Sequence, residues 1–124
     1  MPDYGTLAGF STYHTARGRD VSAYTDPDIE AAKLIASEWI DARYRSLFGG
    51  TKVGLRAQAR EWPRTGAMDV DGYSIGSTLV PTEIENATYE ATLKHLVSVA
   101  LCRSIGCHRN TSVLRLMVRC RSIT

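Results

Sequence analysis

The chain has 124 residues, 44% of them apolar, and a formal net charge of +2. That length suits one domain with a core of its own, and no apolar run approaches the ~20 residues needed to cross a bilayer. The charge is divided: residues 1–90 carry 9 Lys/Arg against 13 Asp/Glu, a net of −4, whereas residues 91–124 carry six basic residues and no acid, a net of +6.

The N-terminus, Met1-Pro2-Asp3-Tyr4-Gly5, has no basic region followed by an apolar stretch, so no secretory signal is read there and synthesis in the cytoplasm is expected. The first predicted element is a short helix over Leu7–Arg17, with Leu7, Phe10 and Tyr13/His14 at helical spacing and Gly18 at its end. His14 beside that face is expected to pack or to lie at the surface rather than to bind a ligand.

The strongest helix signal follows. Thr25-Asp26-Pro27-Asp28 supplies a cap, a first-turn proline and acids that suit the helix dipole. Ile29, Ala32, Ala36, Ile40 and Leu47 keep the 3.6-residue period, and Ile35 and Trp39 widen the stripe. A helix over residues 26–47 is therefore expected, with Trp39 and Ile40 in the core and Gly49-Gly50 closing it.

Leu55, Ala59 and Trp62 are spaced i, i+4, i+7, which predicts a third, short helix over Val53–Trp62 stopped by Pro63. Arg56, Gln58 and Arg60 would lie on its other side, and Trp62 would be an aromatic anchor. From Pro63 to Pro81 a long connection is expected. Its Asp69-Val70-Asp71-Gly72 reads as a turn, because the spaced acids and terminal Glu of an EF-hand are missing. Thr82-Glu83-Ile84-Glu85 then forms a Thr-x-x-Glu capping signature for a fourth helix to about Leu101, with Ile84, Ala87, Ala91, Leu96 and Ala100 apolar.

Beyond it, Val113–Val118 reads as a short strand or another helix. Cys102, Cys107, Cys120 and His108 could number four zinc ligands, but their spacings match no usual ligand pattern, and free thiols are expected. The basic tail suits contact with nucleic acid or an acidic neighbour, or simple solvation. These readings give an all-α class, a small helical bundle with a long loop and an extended or irregular C-terminal tail. The expected division is a helical domain over residues 1–101 and a basic tail over 102–124.

Catalytic patterns are missing. Asp26/Asp28 and Glu83/Glu85 fall at helix N-termini, where capping explains them. There is no Gly-x-Ser-x-Gly elbow, and Gly49-Gly50-Thr51-Lys52 lacks P-loop spacing. No catalytic residue, cofactor or metal site is expected, and a binding or assembly protein is.

Several phrases carry a resemblance: Tyr4-Gly5-Thr6, Tyr13-His14-Thr15-Ala16-Arg17-Gly18, Ile40-Asp41-Ala42-Arg43-Tyr44-Arg45-Ser46, Glu61-Trp62-Pro63-Arg64-Thr65-Gly66-Ala67, Asp71-Gly72-Tyr73 and Ile84-Glu85-Asn86-Ala87-Thr88-Tyr89-Glu90-Ala91. Over about residues 4–95 the chain resembles a tailed-bacteriophage and prophage family labelled DnaT-like single-stranded-DNA-binding proteins. It is also similar to phage head–tail connector (adaptor) proteins. The connector likeness implies a homo-oligomeric ring in the virion neck, between the portal protein and a stopper or tail protein and around the DNA channel. The connector is the main expectation. The DnaT-like label implies single-stranded-DNA binding, for which Arg43, Arg45, Arg56, Arg60 and Arg64 are the candidate residues beside Tyr44 and Trp62. The expected core is Trp39, Ile40, Trp62, Ile84 and Ala91. After about Leu96 the chain departs from the family pattern, and its Arg-, Cys- and Ser-rich, acid-free tail is what an altered reading frame in a GC-rich gene would produce.

Overall fold

The structure, a computed structural model, describes residues 3–104. The readings placed on Cys107, His108, Cys120 and Val113–Val118 lie outside the described residues. Helix α1 spans Leu7–Thr15, α2 spans Asp26–Tyr44 and α3 spans Thr82–Ser104. A 3-10 turn, Arg45–Leu47, extends α2, and a second, Leu55–Ala57, lies between two short strands, β1 (Thr51–Lys52) and β2 (Arg64–Thr65).

Each helix begins where the local chemistry favours it. Thr6 is extended, and its hydroxyl accepts from the Gly9 N–H at 2.9 Å, capping α1. Pro27 and the acids Asp26 and Asp28 occupy the first turn of α2. The first turn of α3 is closed by the Pro81 carbonyl, which accepts from Ile84 and Glu85 at 3.0 and 3.3 Å. Helix α2 packs along α3. Ile29 and Leu96 share one apolar cluster, whereas Ile84 joins Tyr4 and Trp62 at the other end, so the two helices run antiparallel. The first cluster is Phe10, Val21, Ile29, Ala32, Tyr89 and Leu96; the second is Tyr4, Trp62 and Ala67, with Phe48, Ile75, Val80 and Ile84 against it. Each large apolar side chain fully buried in them contributes roughly 1.5–3 kcal/mol. The N-terminal segment enters this packing through Gly5, which has a φ of +76° and lies against Tyr89; a Cβ there would strike the phenol ring.

The all-α expectation is corrected by the segment between α2 and α3. β1 and β2 form a two-stranded antiparallel sheet, pairing Thr51 with Thr65 and Lys52 with Arg64, and a further bridge joins Met68 to Ser74. Among the described residues the class is mixed: three helices and a small sheet. The helix expected over Val53–Trp62 is one 3-10 turn in an otherwise irregular loop. Its hydrogen bonds are drawn elsewhere: the Val53 N–H donates to the Pro63 carbonyl, and the Gln58 side chain accepts from Gly54 and donates to the Arg60 and Pro63 carbonyls. Leu55 has a φ of +50° and is exposed, so the Leu55/Ala59/Trp62 face does not exist and only Trp62 is buried.

A second correction concerns Trp39. Ile40 and Trp62 are buried and Ile84 and Ala91 are partly buried, but Trp39 is 49% exposed. The buried stripe of α2 is Ile29, Ala32, Lys33, Ala36, Ser37, Ile40 and Asp41. Lys33, Ser37 and Asp41 take the seam that Ile35 and Trp39 were expected to fill. Each is satisfied there: Ser37 accepts from the Tyr4 N–H and donates to the Lys33 carbonyl, Lys33 Nζ donates to the Gly5 carbonyl, and Asp41 accepts from Tyr4. A polar residue with partners can occupy a core position at little cost. Helix α2 also stops at Tyr44, short of the expected end at residue 47, and Leu47 is exposed.

Candidate nucleic-acid interface

The C-terminal end of α2 is positioned by a buried polar network. The Tyr4 hydroxyl donates to Asp41 Oδ1 at 2.6 Å and accepts from the Trp62 N–H at 3.1 Å. Asp41 Oδ2 accepts from the Glu61 N–H at 3.2 Å and lies 3.2 Å from Arg60 Nη1. One carboxylate thus holds the N-terminal segment, α2 and the loop 60–62 together. Burial pushes the Asp41 carboxyl above its usual range, against the hydrogen bonds from Tyr4 and Glu61 and the charge of Arg60, which pull it down. Burial and the bond to Asp41 also raise the Tyr4 phenol far above its ordinary value.

Above this network the surface changes character. Trp39 and Tyr44 stand exposed, their ring centroids 6.0 Å apart and their planes at 84°. Arg43 and Arg45 flank Tyr44 and are exposed, with Arg45 Nε 3.9 Å from a carboxylate oxygen of Glu61. Two exposed aromatic faces beside two cations are the elements that stack bases and meet phosphates.

The five arginines singled out from the sequence separate into two groups. Arg43, Arg45 and Arg56 are exposed. Arg60 and Arg64 are not available to a ligand. Arg60 is largely buried against Asp41. Arg64 donates through Nε to the Gly49 carbonyl at 2.7 Å, through Nη2 to the Gly50 carbonyl at 2.8 Å and through Nη1 to Glu61 Oε2 at 2.8 Å. Its work is to tie the loop after α2 to β2. Trp62, also a stacking candidate, is 4% exposed and packs edge-on against Phe48 at 5.5 Å. The residue that sequence reasoning missed is Trp39. Its signal was present: positions 29, 33, 37 and 41 repeat every four residues, and a seam through them turns position 39 outward.

The other concavities suit nucleic acid less well. A cleft of about 290 Å³ between α1 and the segment before α2 is rimmed by Ser11, Thr15, Asp20, Ser22 and Asp26, with no basic side chain among its lining residues. Among the described residues no group of three or more His, Cys, Asp or Glu side chains is arranged to hold a metal ion, and no helix is long and apolar enough to cross a membrane.

The fold and this surface define, among the described residues, a small mixed domain of three helices and a two-stranded sheet, with an exposed aromatic–arginine patch at the end of its second helix. The chain belongs to the family described as "Putative DnaT-like ssDNA binding protein", which matches residues 3–113. The match supports the DNA-binding label of the resemblance and not its connector counterpart, and it runs past the expected domain boundary at residue 101. No curated protein and no solved structure matches the chain.

Proposed function

We propose that this protein binds single-stranded nucleic acid, without catalysis, at the C-terminal end of α2. The observation that supports it is the exposed Trp39–Tyr44 pair beside Arg43 and Arg45. Base stacking on an aromatic side chain is worth about 1–3 kcal/mol per base and tolerates any sequence. Arg43 and Arg45 supply the phosphate contacts, and the family description agrees with this chemistry. Single strands are favoured over duplex because only unpaired bases offer their faces to side chains. Arg43 in the last turn also complements the helix dipole, a structural role that does not occupy its exposed guanidinium. The test is fluorescence anisotropy of a labelled oligothymidine at moderate salt. The Arg43→Gln/Arg45→Gln double variant should bind roughly tenfold or more weakly than wild type, by the counterion argument. Equal affinity would remove the site.

A second reading, a head–tail connector subunit that assembles into a ring in the virion neck, is favoured by one other observation. The hairpin after β2 presents Met68, Val70 and Tyr73 to solvent, and Val70 is 102% exposed. Asp69 Oδ1 accepts from the Asp71 and Tyr73 N–H groups, both at 2.9 Å, so this apolar tip is held in shape. A preformed apolar projection suits burial against a neighbouring subunit, portal or tail protein. Solution mass by light scattering decides: a ring-sized species dissociated by Val70→Asp supports the connector, and a monomer at all concentrations, alone and with portal protein, opposes it.

A further inference from the structure

We propose that His14 is an acid-operated latch for the turn after α1, which Arg19 ties to α3. The ring is fully buried. Its Nε2 lies 3.0 Å from the Tyr89 carbonyl, which can only accept, so Nε2 carries the proton. Its Nδ1 lies 3.3 Å from Arg19 Nη1, which can only donate, so Nδ1 is the acceptor. The imidazole is thereby held neutral, in one tautomer, with both nitrogens engaged. The same Arg19 Nη1 donates to Glu90 Oε1 at 2.8 Å, and that oxygen also accepts from the Tyr13 hydroxyl at 2.9 Å. Four side chains and one carbonyl form a relay from α1, through the turn after it, to α3.

A second proton on His14 must go to Nδ1. There it would face the Arg19 N–H, donor against donor and cation against cation. Arg19 must leave before the ring is charged, and its departure breaks its bond to Glu90 while the Tyr13–Glu90 bond remains. The groups that face the ring are Phe10 and Tyr13 from α1, Arg17 and Arg19 from the turn, and Glu90 with the Tyr89 carbonyl from α3. Helix α2 meets the same cluster through Ile29 and Ala32. Burial, the largest effect, opposes the charged ring together with Arg19 and Arg17, while the Tyr89 carbonyl and Glu90 favour it. Thr6 at the start of α1 is fixed separately, its N–H donating to the Tyr89 hydroxyl at 3.1 Å. Acid therefore releases the turn after α1 through Arg19, while the His14–Tyr89 and Tyr13–Glu90 bonds keep α1 itself docked on α3.

Amide hydrogen exchange on the full chain tests this, followed by NMR between pH 7.5 and 5 and corrected for intrinsic rates. The Arg19 N–H, which donates to the His14 carbonyl at 2.9 Å, and the Arg17 N–H are the reporters. Their protection should fall roughly tenfold per pH unit once the ring begins to charge, with α2 amides remaining the better protected at every pH. His14→Gln keeps a donor for Tyr89 and cannot titrate, so its reporters should be flat with pH. Constant protection in wild type, or the same loss in His14→Gln, overturns the latch. Should His14→Gln not fold, Arg19→Ala decides: removing the cation from Nδ1 should move the His14 ring titration to higher pH, and an unmoved midpoint overturns the proposal.

Discussion

Tyr4 and Asp41, 37 residues apart in the chain, share a 2.6 Å hydrogen bond inside the protein. The bond anchors the N-terminal segment to α2 and, through the Trp62 N–H on the same hydroxyl, to the loop before β2. Tyr4→Phe removes one donor and leaves both the carboxylate and the Trp62 amide short of a partner. Hydrogen bonds to charged groups are worth about 1.5–3 kcal/mol, so a loss of that size is expected in urea unfolding. Asp41→Ala should cost more, about 3–5 kcal/mol, because it strands the largely buried Arg60. A loss below ~0.5 kcal/mol in either would show the network to be idle.

The two tryptophans should behave oppositely. Trp62→Ala empties a site packed by Tyr4, Ala67 and Phe48, and a cost of about 3–5 kcal/mol is expected. Trp39→Ala removes a half-exposed ring and should change stability by about 1 kcal/mol or less. Thermal unfolding of both variants compares them directly.

Acid should weaken the fold. Burial lowers His14 and His95 below the ordinary histidine value of 6.5, so each stabilises the protein above that value and the contribution is lost as pH falls toward the folded-state value. Glu90, lowered chiefly by its bond to Arg19, adds a further loss below its ordinary 4.5. Asp41 acts in the opposite sense. Its raised carboxyl contributes most below its ordinary 3.8 and less as pH rises, so it offsets part of the acid loss. Urea midpoints should therefore fall from pH 7 to 5 and fall again near pH 4. A midpoint constant across that range would contradict the neutral histidines, buried His14 and half-buried His95.

The salt dependence of nucleic-acid binding should be shallow. Arg43 and Arg45 together reach about two phosphates, and single strands give a slope of about −0.7 per phosphate, so log K against log salt should fall with a slope near −1.4. A slope of −4 or steeper would mean that basic residues elsewhere carry the binding.

Much of the helical framework was legible because its signals were local. Pro27 and Pro81 mark helix starts, and Ile29, Ala32, Ala36 and Ile40 keep the period that buries them along α2. The sheet was hidden because two-residue strands carry no period, and their pairing joins residues 14 apart at Thr51 and Thr65. Trp39 was misplaced because an apolar stripe was read by hydrophobicity alone, whereas Lys33, Ser37 and Asp41 earn burial through partners on other segments. The proposed interface was half visible: Arg43, Tyr44 and Arg45 stood out as an aromatic among cations, but the fates of Arg60 and Arg64 depended on Asp41, Glu61 and the carbonyls of Gly49 and Gly50.

Tryptophan emission during titration with a short single-stranded oligonucleotide tests the binding site most directly, because Trp39 is exposed and Trp62 is buried. Saturable quenching is expected with a single strand and not with the matching duplex, and Trp39→Phe should abolish the signal while Trp62→Phe keeps it. Unchanged emission at saturating oligonucleotide, or quenching that survives Trp39→Phe, would contradict a base-stacking site at the end of α2.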